Sequence, residues 1–403
     1  MPAIKIDLTD EEYRLRPWDI YARLRDDAPV HHVPNGTWEG HDFYVLSRYE
    51  DCELALKDKK LFSSHIRKDD YLNLPMLVNR DAPEHTRLRK MANRSFNARL
   101  VRTLESWVQG IIDDLIQDLL AQDRVEFVEG FTTALPLRVV GDMLGIPLDR
   151  KNDLRRWSSA VMDTFAVAAG MDPSHVPGFF EDLIEFGNYM ADLARERQGK
   201  ENRGDILGEL VVQHEIGDMT RDELVTMAWS FVAAGHETTM NLLGGGIHML
   251  LSDPALAARL VAEPDRTLDF AEEYLRLYSP TQWLLRRAAD DVVLHDTVIP
   301  AGALVHVVIG SANRDPRRFD EPGGYDLDRD NKLDHLAFGA GPHFCPGAAL
   351  SRLLADLTFR SFYPHLHRFS LDPDSPPKLR TRQGSYGIAQ MDLVVHPASS
   401  GQR

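Results

Sequence analysis

Ten residues, Phe338-Gly339-Ala340-Gly341-Pro342-His343-Phe344-Cys345-Pro346-Gly347, hold three glycines, two prolines and one cysteine. Glycine permits positive φ and close backbone approach, and proline fixes chain direction. The segment therefore predicts a rigid, bulged loop. Cys345 stands just ahead of an apolar helical run (Ala348, Ala349, Leu350, Leu353, Leu354). A helix N-terminus offers unpaired N–H groups and a positive dipole end, and both favour thiolate over thiol. A second cluster, Ala234-Gly235-His236-Glu237-Thr238-Thr239, interrupts a long apolar stretch with glycine and two β-branched threonines, poor residues for a helix interior. A threonine hydroxyl can take the carbonyl four residues back and open the turn locally, leaving a groove beside a buried acid and a hydroxyl.

The first segment resembles the cysteine-ligand signature of the cytochromes P-450, F-G-x-G-x-H-x-C-x-G-x-x-L-A, departing only at Ser351 in the final Ala position. The second resembles that family's A-G-x-[DE]-T-T stretch. The resemblance implies Cys345 as axial ligand to the iron of haem b (iron protoporphyrin IX). There the thiolate pushes electron density onto the metal and favours O–O cleavage. It implies Glu237 as the acid and Thr238 as the hydroxyl of a relay carrying the two protons that dioxygen activation needs. Phe338, Gly339, Gly347 and Ala234 are then expected to flank the cofactor.

Haem propionates are anionic and need cationic donors. By resemblance these are His85 and Arg89, one helical turn apart, His343, two residues before the cysteine, and Arg286. Arg287 rivals Arg286, because a strand turns one of them inward and the other outward. Glu273 and Arg276 share a helix face at i, i+3. They resemble the family's structural ion pair, whose expected partner is Arg318. Six Lys or Arg and no Asp or Glu lie between His85 and Arg102. In the family this helix borders the thiolate side of the haem, so Lys90, Arg94 and Arg99 are expected to steer an acidic ferredoxin.

These side chains must be positioned by longer elements. Thr220 and Glu223 form a T-x-x-E capping box that opens a helix running to about Leu251, apolar on nearly every face and hence buried and central. Further helices are expected over Tyr49–Lys57, after Pro83 through Phe96, over about Leu104–Gln122, and at least twice within Leu154–Arg197, interrupted near Gly170–Pro177. A last helix should start just after Pro346. Phe43–Leu46 and the stretch from Asp291 to Ile309 read as short strands among turn signals. The expected fold is mainly α with small β-sheets, the cytochrome P-450 fold. It forms a single domain over 1–403, with a β-rich region from parts of 30–60, 285–310 and 370–396.

Bulk properties narrow the function classes. The 46 basic and 62 acidic residues give a formal charge of −16, which disfavours nucleic-acid binding and anionic lipid. Two cysteines, Cys52 and Cys345, make neither a disulfide framework nor a zinc site. No apolar run reaches signal-peptide or membrane-span length, so a cytoplasmic location is expected. The haem fold takes up the whole chain, so electrons are expected from a separate ferredoxin and its NAD(P)H-dependent reductase.

Substrate contacts are expected from Leu74, Met76, Val78, Val232, Ala233, Leu284 and Ile388, a mainly apolar set. His65, Arg67 and Lys68 could instead meet an acidic substrate. The leading expectation is a monooxygenase that uses O2 on a small organic molecule. A peroxide-driven peroxygenase would act with peroxide alone, and the Glu237–Thr238 pair argues against it. A haem sensor or carrier would bind ligands without forming product.

Overall fold

The computed structural model describes residues 4, 6–7, 10–66, 75–95, 98–201, 205–380 and 382–397, with the side chains of 12, 95 and 98–102 outside it. Helices dominate. The longest, Arg221–Ser252, is the central helix. Its cap is reciprocal: the Glu223 amide donates to Thr220 Oγ1 at 3.2 Å, and the Thr220 amide donates to Glu223 Oε2 at 2.9 Å. Most of its residues are buried, from Leu224 to Leu250, as its all-round apolar pattern requires.

Around it pack Ala134–Leu144, Lys151–Ala168, Phe179–Arg197 and Ala348–Phe362. The last of these is the helix that follows Cys345. Gly246 permits that contact, since a Cβ there would fall 2.4 Å from Phe359 Cζ. The main apolar core gathers side chains from these helices and from Val128–Thr133 and Thr267–Tyr278, with Phe131, Trp157, Phe186, Leu243, Phe270 and Phe359 among them.

A five-stranded sheet lies to one side, in the order Val30–Val33, Phe43–Leu46, Leu304–Val307, Leu284–Ala288, Phe62–Ser63. Its pairs are antiparallel except Phe43–Leu46 with Leu304–Val307. Phe43–Leu46 is buried along its length, which explains the unbroken apolar run. Val292–Leu294 and Thr297–Ile299 form a hairpin turned at His295 and Asp296, both at positive φ.

Helices stand at Tyr49–Lys57, Glu84–Ser95, Lys151–Ala168 and Phe179–Arg197, where the periodicity puts them. The helix expected from Leu104 begins earlier, at Ala98, and ends at Leu120. A strand at Arg124–Glu126, absent from the sequence reading, pairs with Asp392–Val395, which in turn pairs with Phe369–Leu371.

Candidate active site

The cysteine loop is built as its composition demands. Gly339 and Gly341 have φ of +71° and +66°, and a Cβ on Gly341 would press on the Leu56 carbonyl and Lys57 Cα at 3.0 Å. The Gly339 amide donates to the Leu336 carbonyl, and the Cys345 amide donates to the Phe338 carbonyl, both at 2.8 Å. Ala348–Phe362 begins three residues after the cysteine, with Gly347 as its N-cap. Burial pushes the Cys345 thiol up, and the Gly347 and Ala348 amides, with the Arg89 and Arg352 guanidiniums, pull against it. Cys52, by contrast, is fully buried, donates to the Leu46 carbonyl at 3.3 Å, and is held as a thiol by burial.

His85, Arg89, Arg286 and His343 line one cleft of about 550 Å³, with Asp81 and Lys90. The His85 and His343 rings lie 4.0 Å apart between centroids. Burial and the neighbouring cations keep His85 below its ordinary value and drive His343 down to about 3. Arg286 is 4% exposed; its Nη1 donates to the Leu285 carbonyl at 2.7 Å. Arg286 Nη2 and His85 Nε2 are buried and have no hydrogen-bond partner among the described residues. Buried donors are normally satisfied. These two, beside two further nitrogen side chains, suit a ligand that carries carboxylates. The neighbouring Arg287 is committed elsewhere, donating to the Ile66 and Gly302 carbonyls. Cys345 borders the same cleft electrostatically, through Arg89. The donor set therefore fits a haem with its two propionates.

On the central helix, Thr238 Oγ1 donates to the Ala234 carbonyl at 2.6 Å, the backward bond its position allows. The helix continues through these residues from Arg221 to Ser252. Ala234 is nevertheless exposed while His236 and Glu237 are buried. Glu237 Oε2 lies 3.3 Å from Arg382 Nε, and Oε1 has no partner among the described residues. Arg382 also donates to Asp163 and, at 3.1 Å, to the Ser159 carbonyl. Burial pushes the Asp163 carboxyl up to about 6, helped by Glu237 and opposed by Arg382. Asp163 also lines a second cleft of about 330 Å³ with Arg156, Ser159 and Asp182. Arg382 and Asp163 escaped the sequence reading. His236 is buried on Ser158 Oγ at 3.0 Å and driven down to about 3.

The chain belongs to the cytochrome P450 family. Residues 30–392 match the model of the family described as Cytochrome P450. Cytochrome P450 107B1 of Saccharopolyspora erythraea is 33% identical, over 94% of this chain and 94% of that one. The same organism's 6-deoxyerythronolide B hydroxylase is 30% identical, over 92% and 93%. The structure of the cytochrome P450 PksS of the Bacillus subtilis bacillaene polyketide synthase superposes with a TM-score of 0.87. It is 26% identical and covers 98% of this chain and all of that one. The fold is the mainly α cytochrome P450 fold, the enzyme is a P450 monooxygenase, and the family's cofactor is haem iron.

Within this P450 one sequence expectation is overturned. Arg318 does not join the buried ion pair. It is half-exposed, reaching Asp334 at 2.7 Å and lying over the Tyr49 ring. The third member is Arg329, whose Nε donates to Glu273 Oε1 at 3.0 Å. Glu273 and Arg276 are both fully buried and joined at 2.7 and 2.8 Å; Arg276 also caps the Asn313, Pro322 and Gly324 carbonyls. The coil turns at Asp315 to Phe319, aiming Arg318 outward, and returns to bring Arg329 in.

Met76, Val232, Ala233 and Ile388 all belong to the main apolar core, and Val78 packs against it; Leu284 packs against a second core cluster beside the sheet. Leu74, Arg67 and Lys68 lie outside the described residues, as does the Arg99 side chain. Lys90 is exposed at the cleft rim, and Arg94 donates to Gln213 at 2.9 Å. Among the described residues, no helix is long and apolar enough to cross a membrane.

Proposed function

We propose that this chain holds haem b through Cys345 and inserts one atom of O2 into a small, largely apolar organic substrate, with electrons from a separate ferredoxin and its NAD(P)H-dependent reductase. The observation that carries the proposal is the convergence of His85, Arg89, Arg286 and His343 on one cleft beside Cys345, with two buried donors lacking partners. When bound, the haem supplies dioxygen activation and electron transfer.

The protein's own groups have separable tasks. The Phe338 carbonyl fixes the Cys345 amide, and the amides of the following helix favour the thiolate. His85, Arg89, Arg286 and His343 bind the propionates. Glu237 moves protons at its uncommitted Oε1, while Arg382 steadies Oε2. Thr238 places its hydroxyl one turn from Ala234. Hydroxylation of a C–H bond is the favoured reaction; the name of the related 6-deoxyerythronolide B hydroxylase supports it.

The test is a reduced carbon monoxide difference spectrum of the purified protein beside Cys345→Ser. A thiolate-type band in the parent that is lost in the variant is expected. A colourless parent, or an unchanged band in the variant, overturns the proposal. Product formed with peroxide alone at the rate seen with ferredoxin would favour a peroxygenase.

A further inference from the structure

Glu272 and Glu273 are adjacent and both buried, yet they hold different things. Glu273 secures the coil through Arg276 and Arg329. Glu272, 3% exposed, accepts from His335 Nε2 at 2.9 Å and from Arg352 Nε and Nη2 at 2.5 and 3.0 Å. The His335 Nδ1 accepts the Ala337 amide at 3.2 Å, so its proton sits on Nε2 and points at Glu272. His335 precedes the cysteine loop by three residues, and Arg352 lies in the helix that leaves it. Between them stands Phe338: the Arg352 guanidinium lies 4.7 Å over its ring, and the His335 ring is 5.7 Å away. The Phe338 carbonyl is the acceptor for the Cys345 amide.

We propose that Glu272 is a positioning residue that clamps both ends of the cysteine loop, through His335 on one side and Arg352 on the other, and so fixes the guanidinium that lies over Phe338 beside the loop presenting the Cys345 sulfur. The proposal rests on Cys345 as iron ligand. Burial alone would raise the Glu272 carboxyl, but its bonds from His335 and Arg352 outweigh this and hold it down to about 2, so the clamp stays anionic throughout the working range. Arg352 lies over Phe338, whose carbonyl holds the Cys345 amide, so its charge sits beside the loop that presents the sulfur. A cation near the sulfur reduces the electron density it passes to the metal.

The experiment is reduction-potential titration of the holoenzyme with Arg352→Gln, Arg352→Lys and Glu272→Gln, alongside carbon monoxide spectra and thermal unfolding. Arg352→Gln removes the cation at a side chain that is one-third exposed, so the fold should survive. Its potential should fall, and Arg352→Lys should restore part of the shift. Glu272→Gln leaves Arg352 uncompensated and should shift the potential the opposite way. Loosening of the loop alone would push both variants in the same direction. Shifts of equal sign, or an unmoved potential in Arg352→Gln, overturn the proposal. Should Glu272→Gln fail to load haem, the Arg352 pair still decides. A parent without a thiolate-type carbon monoxide band would instead defeat the ligand assignment, and with it this proposal.

Discussion

Glu237→Gln preserves the shape of a buried side chain and removes its acid function. If Oε1 passes protons, turnover should fall by about 100-fold or more, the low end for lost acid–base catalysis. The haem spectrum should stay unchanged; turnover within a factor of a few of the parent would rule the role out. Nearby, two groups titrate in opposite senses. Burial keeps His236 neutral down to about 3, whereas the unfolded chain takes that proton near 6.5. Protons therefore favour unfolding, and stability falls as pH drops below about 6.5. The Asp163 carboxyl takes its proton at about 6 in the fold but only near 3.8 unfolded, so its contribution rises as pH falls through 6. Between about pH 6 and 4 the two offset each other. Asp163→Asn should expose the histidine, losing about 1.4 kcal/mol per pH unit relative to the parent across that window. Urea unfolding at three pH values measures it, and parallel curves for parent and variant would refute it. Cys345 was legible because its signal is local: glycines, prolines and a helix start within ten residues. Arg382 and Asp163 were not, because the Glu237 cluster joins three distant segments, none with a pattern of its own.

At the scale of elements, the central helix was legible from its capping box and its apolar circumference. Both halves of the box form, so Thr220→Ala should cost about 1 kcal/mol in denaturant unfolding. The contact at Gly246 makes a sharper demand. Gly246→Ala drives a methyl into Phe359 and should destabilise by about 1–3 kcal/mol, more than helix propensity would return. A stabilised variant would show that the two helices can separate freely. The strand Arg124–Glu126 escaped notice because three residues, though alternating, are too few to set a period; it exists through its pairing with Asp392–Val394. The expectation of Arg318 failed for a related reason. Both lie in coil, where only the tertiary path decides which guanidinium reaches Glu273. Breaking that pair by Glu273→Gln leaves Arg276 buried without its counter-charge, a loss of about 3–5 kcal/mol. Retention of normal haem loading at the growth temperature would contradict this.

Over the whole molecule, net charge −16 is interrupted by the basic window from His85 to Arg102. Arg87 is already committed there, to Glu223 and the Asp218 carbonyl, which leaves Lys90 at the cleft rim as the stronger candidate for meeting an acidic partner. Lys90→Glu should slow reduction by a ferredoxin and flatten its dependence on ionic strength, with unfolding unchanged. An unaltered salt slope would dismiss the docking surface.

The His85, Arg89, Arg286 and His343 side chains of the 550 Å³ cleft come from one helix, one strand and the cysteine loop. Their meeting place is thus assembled from strands of chain far apart in sequence. A dianionic porphyrin would lock those distant segments together as a tie-rod locks the walls of a building. On the proposed haem assignment, the apoprotein should exchange its amide hydrogens fastest around these four positions.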